Sequence, residues 1–172
     1  MHTEAYNGFG DMLALSGVDP EGSWKILDIG GQNVNGSVHE YFSNATITTL
    51  DLENADIIAD GCTWRSDDRF DLVIATEVFE HVEEWPAIIE TMYFHLVDGG
   101  TLISTCASTG RRPHGATGAL DPAPGEWYGN VAPQDLQNVL NHWFVEAEVH
   151  YHPVPWGDAY MWARKGQDPN DA

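Results

Sequence analysis

Residues 24–36, WKILDIGGQNVNG, constrain this chain more than any other stretch. An apolar run ends in an acid, Asp28, and passes straight into a glycine-bearing turn, the pattern of a buried strand feeding a tight connection. Ser37-Val38-His39-Glu40 follows, a Ser-x-x-Glu box that predicts the first turn of a helix. Strand, turn and capped helix together make a nucleotide-type cradle. Free backbone N–H groups and the positive end of the helix dipole both face whatever lies on the turn. A second β-like run, Ile47-Thr48-Thr49-Leu50, ends in Asp51, 23 residues beyond Asp28. That spacing puts a carboxylate where the second strand of such a fold meets a ribose diol.

The alternation continues along the chain. Residues 3–16 predict a short helix with Thr3 as N-cap and Met12, Leu13 and Leu15 as its apolar side, ended by Gly17 and Pro20. Strands are expected at 24–29, 46–51, 56–60, 70–76, 101–106, 145–151 and 159–164, and helices at 37–43, 84–96 and 133–142. FDLVIAT at 70–76 is apolar almost throughout, as a strand buried on both faces of a parallel sheet must be. Asp98-Gly99-Gly100 reads as a turn, and Pro133 opens the last helix at its first position. Residues 107–131, with three Pro and five Gly, form a long irregular stretch of the kind that is either functional or disordered, and 166–172 form a polar tail. The βαβ order predicts a single α/β domain with a mainly parallel sheet, helices on both faces and a closing antiparallel pair.

Charge narrows the partners. With 27 acidic residues against 7 Lys plus Arg, the net charge is −20. Such a field repels phosphate backbones and anionic lipid, so neither nucleic acid nor a membrane surface is an expected partner. No apolar run approaches the ~20 residues needed to cross a bilayer. The start, MHTEAYNGFGDML, has neither the basic nor the apolar region of a signal peptide. Cys62 and Cys106 are far apart and fit no metal spacing, which reads as reduced thiols in a cytoplasmic protein.

The succession WKILDIGG, TLDLENADIIADG, FDLVIATEVFEHV and HLVDGGTLISTCA resembles the class I S-adenosylmethionine-dependent methyltransferases, from about residue 24 to residue 164. The resemblance implies a Rossmann-like three-layer αβα sandwich, with a seven-strand, mostly parallel sheet and an antiparallel C-terminal edge strand. It implies S-adenosyl-L-methionine as cofactor. Asp28, Gly30 and Gly31 would form the turn beneath its methionine half, and Asp51, with Leu52, would take the ribose hydroxyls. Asp60, Gly61 and Cys62 would lie beside the adenine. Thr76 and Glu77 would border the methionine moiety and the transferred methyl. The sequence departs from the family's acid-x-Gly-x-Gly-x-Gly pattern at Gln32 and Val34, so the loop path must differ beyond Gly31.

Methyl transfer from a sulfonium is an in-line displacement. The protein's main task is to align the acceptor and, where needed, remove its proton. Candidate catalytic groups are Glu77, His81 and His114. Glu77, Glu80 and His81 stand at i, i+3 and i+4 and would share one helical face. With His114 as a fourth ligand they have the makings of a divalent-metal site, as in small-RNA 3′-end methyltransferases. A similar sequence also occurs in metal-free small-molecule methyltransferases, where the glutamate lines the site and the histidine braces the helix, and no metal is assigned. In 107–131, Arg111 and Arg112 suggest an anionic group on the acceptor or pairing with the protein's own acids. His114, Trp127 and Tyr128 are further acceptor-side candidates, and Trp64 either covers adenine or packs in the core. The sequence thus points to methylation at O or N of a small-molecule acceptor, with helix 3–16 and loop 107–131 over the acceptor pocket. The rival readings are metal-assisted methylation of an RNA end, a non-catalytic cofactor-binding module, and a nicotinamide oxidoreductase. The last lacks the G-x-G-x-x-G spacing.

Overall fold

The computed structural model describes residues 2–32, 36–155 and 157–167. Val34, with its neighbours Asn33 and Asn35, and residues 168–172 of the polar tail lie outside them. Seven strands make one sheet: β1 (Lys25–Ile29), β2 (Thr46–Asp51), β3 (Ile57–Ile58), β4 (Phe70–Thr76), β5 (Leu96–Ala107), β6 (Glu146–His152) and β7 (Asp158–Arg164). Their order is β3-β2-β1-β4-β5-β7-β6. β1 to β5 pair in parallel. The C-terminal strand β7 is antiparallel to both neighbours and inserts between β5 and β6, which leaves β6 as the outer strand.

Alternation in the central strands divides the core. Leu27 and Val73 face one side, with Ile88, Ile89 and Met92 of α2 (Trp85–His95) and Leu136 and Leu140 of α3 (Pro133–Trp143). Ile26, Leu72 and Ile74 face the other, against α1 (Thr3–Ser16). The buried stripe of α1 is Ala5, Phe9, Met12, Leu13 and Ser16, whereas Leu15, expected inside, is half exposed. The stripe follows the 3.6-residue period and meets Ile103, Tyr160 and Trp162. Gly8 permits this contact, because a Cβ there would lie 2.6 Å from the Tyr160 ring. The cap of α1 is His2 and not Thr3, with no side-chain cap bond.

Two local expectations fail for physical reasons. Residues 37–43 do not form a helix; they make one 3₁₀ turn, Val38–Tyr41. Ser37 Oγ accepts from the N–H of His39 at 3.1 Å, a short side-chain turn in place of the capping box. Only a few residues separate this turn from β2, so the chain re-extends at Phe42 and no macrodipole builds up. Asp98-Gly99-Gly100 is likewise not a turn between elements. It is an insertion inside β5: Phe70 pairs with Leu96 but Leu72 with Thr101. No helix among the described residues is long and apolar enough to cross a membrane.

Candidate functional site

A cleft of about 1000 Å³ opens along the C-terminal ends of β1, β2, β3 and β4. The strand order reverses between β1 and β4, which is where open α/β sheets leave room for a ligand. Its floor is the turn after β1. Gly30 has φ +77°, and its N–H donates to the Leu50 carbonyl at 2.8 Å, tying the turn to β2. A Cβ at Gly30 would come within 2.3 Å of Val78 Cγ2. Gly30→Ala is therefore expected to cost about 2 kcal/mol, from the left-handed backbone together with the collision. A urea melt that coincides with wild type would refute this. Gly31 is closely packed as well, since a Cβ there would lie 2.9 Å from Asp28 Oδ2. Gln32, standing where the second glycine of the pattern is expected, donates through Nε2 to the Glu53 carbonyl at 3.0 Å. It clamps the loop after β1 to the loop after β2.

Asp28 is buried behind this floor and does not line the cleft. Its Oδ2 meets His39 Nε2 at 2.7 Å, while Oδ1 is buried without a hydrogen bond. Burial pushes the Asp28 carboxyl up, with His39 opposing. The bond to Asp28 in turn raises His39, against partial burial. His39 had no constellation in the sequence; the 3₁₀ turn brings it there. A raised imidazole stabilises the fold below its unfolded pKa, and the contribution fades as pH climbs through the folded value. His39→Gln should thus cost about 1 kcal/mol at pH 6, a figure that allows for screening of a half-open pair. The deficit should shrink toward pH 9 in urea unfolding; a constant deficit would contradict the pairing.

The far wall carries the other acids. Asp51 ends β2, and its Oδ1 accepts from the Leu52 N–H at 2.6 Å. Asp60 Oδ1 accepts from the Cys62 N–H at 2.9 Å. Asp51, Leu52, Asp60 and Gly61 line the cleft, with apolar Ile29, Leu50, Ala59, Val82 and Ile88 between them. Cys62 is not a lining residue. Its side chain packs on the core, its Sγ approaches the Glu84 carbonyl at 3.8 Å, and burial pushes the thiol up to about 11. Trp64 does not cover the cleft either, because it stacks on the His95 ring at 4.2 Å.

Thr76 and Glu77 close the near end. Glu77 is one of two non-glycine residues with positive φ, +57°, among those described. Such strain concentrates at functional sites. This kink separates Glu77 from Glu80 and His81, so the expected common helical face does not exist; the local helix is a 3₁₀ turn, Phe79–His81. Glu77 joins a different set. Its Oε1 accepts from Thr105 Oγ1 at 3.1 Å and its Oε2 lies 3.6 Å from His2 Nε2. His2, which carried no signal in the sequence, is brought into the cleft by α1. It also approaches Asp158 Oδ2 at 3.3 Å.

Arg111 and Arg112 both line the cleft, and both are engaged by the protein's own acids. Arg111 Nη1 donates to buried Asp158 at 2.8 Å, and Arg112 Nη2 to Asp121 at 3.1 Å on the surface. His114 lines the cleft, and it packs with His81 and Tyr128 in mutual edge-on contacts. Burial takes His81 down to about 4, so it is a neutral imidazole at pH 7. Trp127 and Tyr128 are not lining residues: Trp127 is half exposed outside the cleft and Tyr128 backs the two histidines. Residues 107–131 are irregular but internally tied. Glu126 accepts from the backbone N–H groups of Ala116 and Ala123, and Gly129 N–H donates to the Glu80 carbonyl.

A family model described as a methyltransferase domain matches residues 10–155. Comparison by sequence with curated proteins finds no match. Among solved structures, the N-methyltransferase NodS from Bradyrhizobium japonicum, bound to S-adenosylhomocysteine, superposes with a TM-score of 0.64 at 16% identity, covering 94% of this chain and 86% of that one. The 1,6-didemethyltoxoflavin-N1-methyltransferase of Burkholderia thailandensis gives 0.70 at 14% identity, over 96% and 79%. The plantazolicin methyltransferase BpumL gives 0.66 at 11%, over 96% and 86%. At these identities the likeness speaks to the fold.

Proposed function

The chain belongs to the methyltransferase-domain family, and from that premise we propose that it transfers the methyl group of S-adenosylmethionine to O or N of a small-molecule acceptor. The observation that carries this reading is the placement of Gly30, Asp51 and Asp60 around one cleft at the strand-order switch. The residues fit the group. Gly30 lets the floor turn at positive φ with Val78 packed against it, Asp51 stands at the end of β2 with one oxygen held by the Leu52 N–H, and Asp60 stands beside an apolar wall suited to a purine. The 3₁₀ turn in place of a helix removes the dipole that would favour a pyrophosphate, which a cationic sulfonium does not need. NodS and the toxoflavin enzyme are described with S-adenosylhomocysteine bound, and the latter also with its small-molecule substrate. Both support the reading.

The bound cofactor supplies an electrophilic methyl on a good leaving group. The chain's own part is to hold the acceptor in line with that methyl and to keep water out. His2, Glu77 and His114 stand on the acceptor side, under α1 and the 107–131 loop. A net charge of −20 favours a small acceptor over a polyanion. Titration calorimetry with S-adenosylhomocysteine and, separately, NAD tests the cofactor: heat with the first alone is expected, and none with it refutes the proposal. A screen of hydroxyl and amine acceptors for methyl uptake tests the second half.

A further inference from the structure

One ring nitrogen at the acceptor end of the cleft faces a donor and two acceptors at once. His2, the residue that caps α1, places Nε2 2.8 Å from Arg111 Nη1. The same Nε2 is 3.3 Å from Asp158 Oδ2 and 3.6 Å from Glu77 Oε2. A guanidinium only donates, so in the Arg111 contact Nε2 offers its lone pair and the ring proton sits on Nδ1. Nδ1 then donates to Glu4 Oε2 at 3.0 Å. This is a neutral imidazole with both nitrogens satisfied. A second proton changes the partners. An Nε2–H would meet the Arg111 N–H head on, where like charges also repel, whereas the carboxylates of Asp158 and Glu77 can accept it after a small movement of the ring. No single placement of the ring serves both protonation states.

We propose that His2 is a proton-operated latch between α1 and the 107–131 loop, across the acceptor side of the cleft that both His2 and Arg111 line. Uncharged, it ties the start of α1 to Arg111. Protonated, it releases Arg111 and turns to Asp158 and Glu77. The titratable groups around the ring come from four segments: Glu4 on α1, Glu77 after β4, Arg111 on the loop, and Asp158 with the Tyr160 hydroxyl on β7. Three carboxylates thus favour the imidazolium and one guanidinium opposes it. Burial holds the imidazole down, but the bonds to Asp158 and Glu4 and the charges of Glu77 and Asp158 outweigh it and raise it. The acid-held arrangement therefore prevails below the raised value, and the Arg111 contact forms as pH climbs through it. Asp158 Oδ1 holds Arg111 Nη1 at 2.8 Å in its own right, so the loop loosens at His2 without losing its anchor on β7. The latch goes beyond the methyl-transfer reading, and its test needs neither cofactor nor acceptor.

The probe is the proton itself. The ¹⁵N-labelled full-length chain is titrated by NMR from about pH 5.5 to pH 9, with the His2 ring signals identified by their loss in His2→Gln. The Nδ1–H tautomer is expected at the basic end, and the Arg111 side-chain signals should shift with the His2 midpoint. Amide exchange around Arg111, whose N–H bonds the Ser108 carbonyl at 3.0 Å, should be at least about tenfold faster at the acid end after correction for intrinsic rates. That is the size of one hydrogen bond to a charged group. In His2→Gln the acid-linked difference should vanish. Glu4→Gln, which keeps an acceptor for Nδ1 but loses the charge, should lower the His2 midpoint. An Nε2–H tautomer at the basic end overturns the latch. So do Arg111 signals indifferent to the His2 titration, or loop exchange that follows pH equally in His2→Gln. Calorimetry with S-adenosylhomocysteine reports separately on the proposed function.

Discussion

Asp51→Ala is expected to weaken S-adenosylhomocysteine binding by on the order of a hundredfold while leaving thermal stability nearly unchanged. The size follows from what a carboxylate does to a diol. Two charge-assisted hydrogen bonds are removed together, a loss of about 3 kcal/mol, and every 1.4 kcal/mol is about tenfold in affinity. Asp51 is well placed to deliver that full amount. Leu50, just before it, accepts the Gly30 N–H, and the Leu52 N–H fixes Oδ1 at 2.6 Å. The carboxylate is therefore oriented before a ligand arrives. Stability should hold because the side chain is only partly buried and braces no other element. Asp51→Asn, which keeps the shape and one acceptor, should fall between, at about tenfold. Titration calorimetry decides the matter: an unchanged dissociation constant for Asp51→Ala removes the ribose assignment without touching membership of the family.

The strands and their order of appearance were legible because their signals are local and strong. FDLVIAT and WKILDI are largely apolar runs, and Asp28 and Asp51 stand at the C-terminal ends of β1 and β2 as the acid-ended runs predict. The misreadings arise where the backbone path set by the fold overrides a local pattern. Ser37–Glu40 has a helix-start sequence, but β2 begins at Thr46 and only one 3₁₀ turn fits. TEVFEH has helical spacing, but Glu77 takes a positive φ at the strand end and the face is lost. Among the cleft-lining residues, Gly30, Asp51 and Asp60 follow from position in the fold. His2 and Asp158 do not, because they meet only when α1 and β7 pack together, and no spacing links residue 2 to residue 158. Glu126 belongs with them: its role is to hold backbone amides of a loop whose path the sequence does not specify.

That long-range cluster yields the largest effect expected of a single substitution. Arg111→Ala should destabilise the fold by about 3–5 kcal/mol, the range for removing one partner of a buried ion pair. For a chain of this length that corresponds to a fall of roughly 10 °C in Tm. The reason is Asp158, which is 1% exposed and holds Arg111 Nη1 at 2.8 Å. Without the guanidinium its carboxylate is left to His2 at 3.3 Å and the Tyr160 hydroxyl at 3.3 Å. Asp158→Asn in the Arg111→Ala background should recover much of the loss, because the uncompensated buried charge is gone; a double-mutant cycle should show coupling above about 2 kcal/mol. Arg112→Ala, by contrast, removes an exposed pair with Asp121 and should move stability by less than about 0.5 kcal/mol. The two arginines, adjacent in sequence, thus separate into one that holds the end of β7 to the loop and one open to the cleft. If Arg111→Ala instead left Tm intact and only raised KM for the acceptor, Arg111 would be a substrate anchor, and the anionic acceptor considered from the sequence would return as the better account.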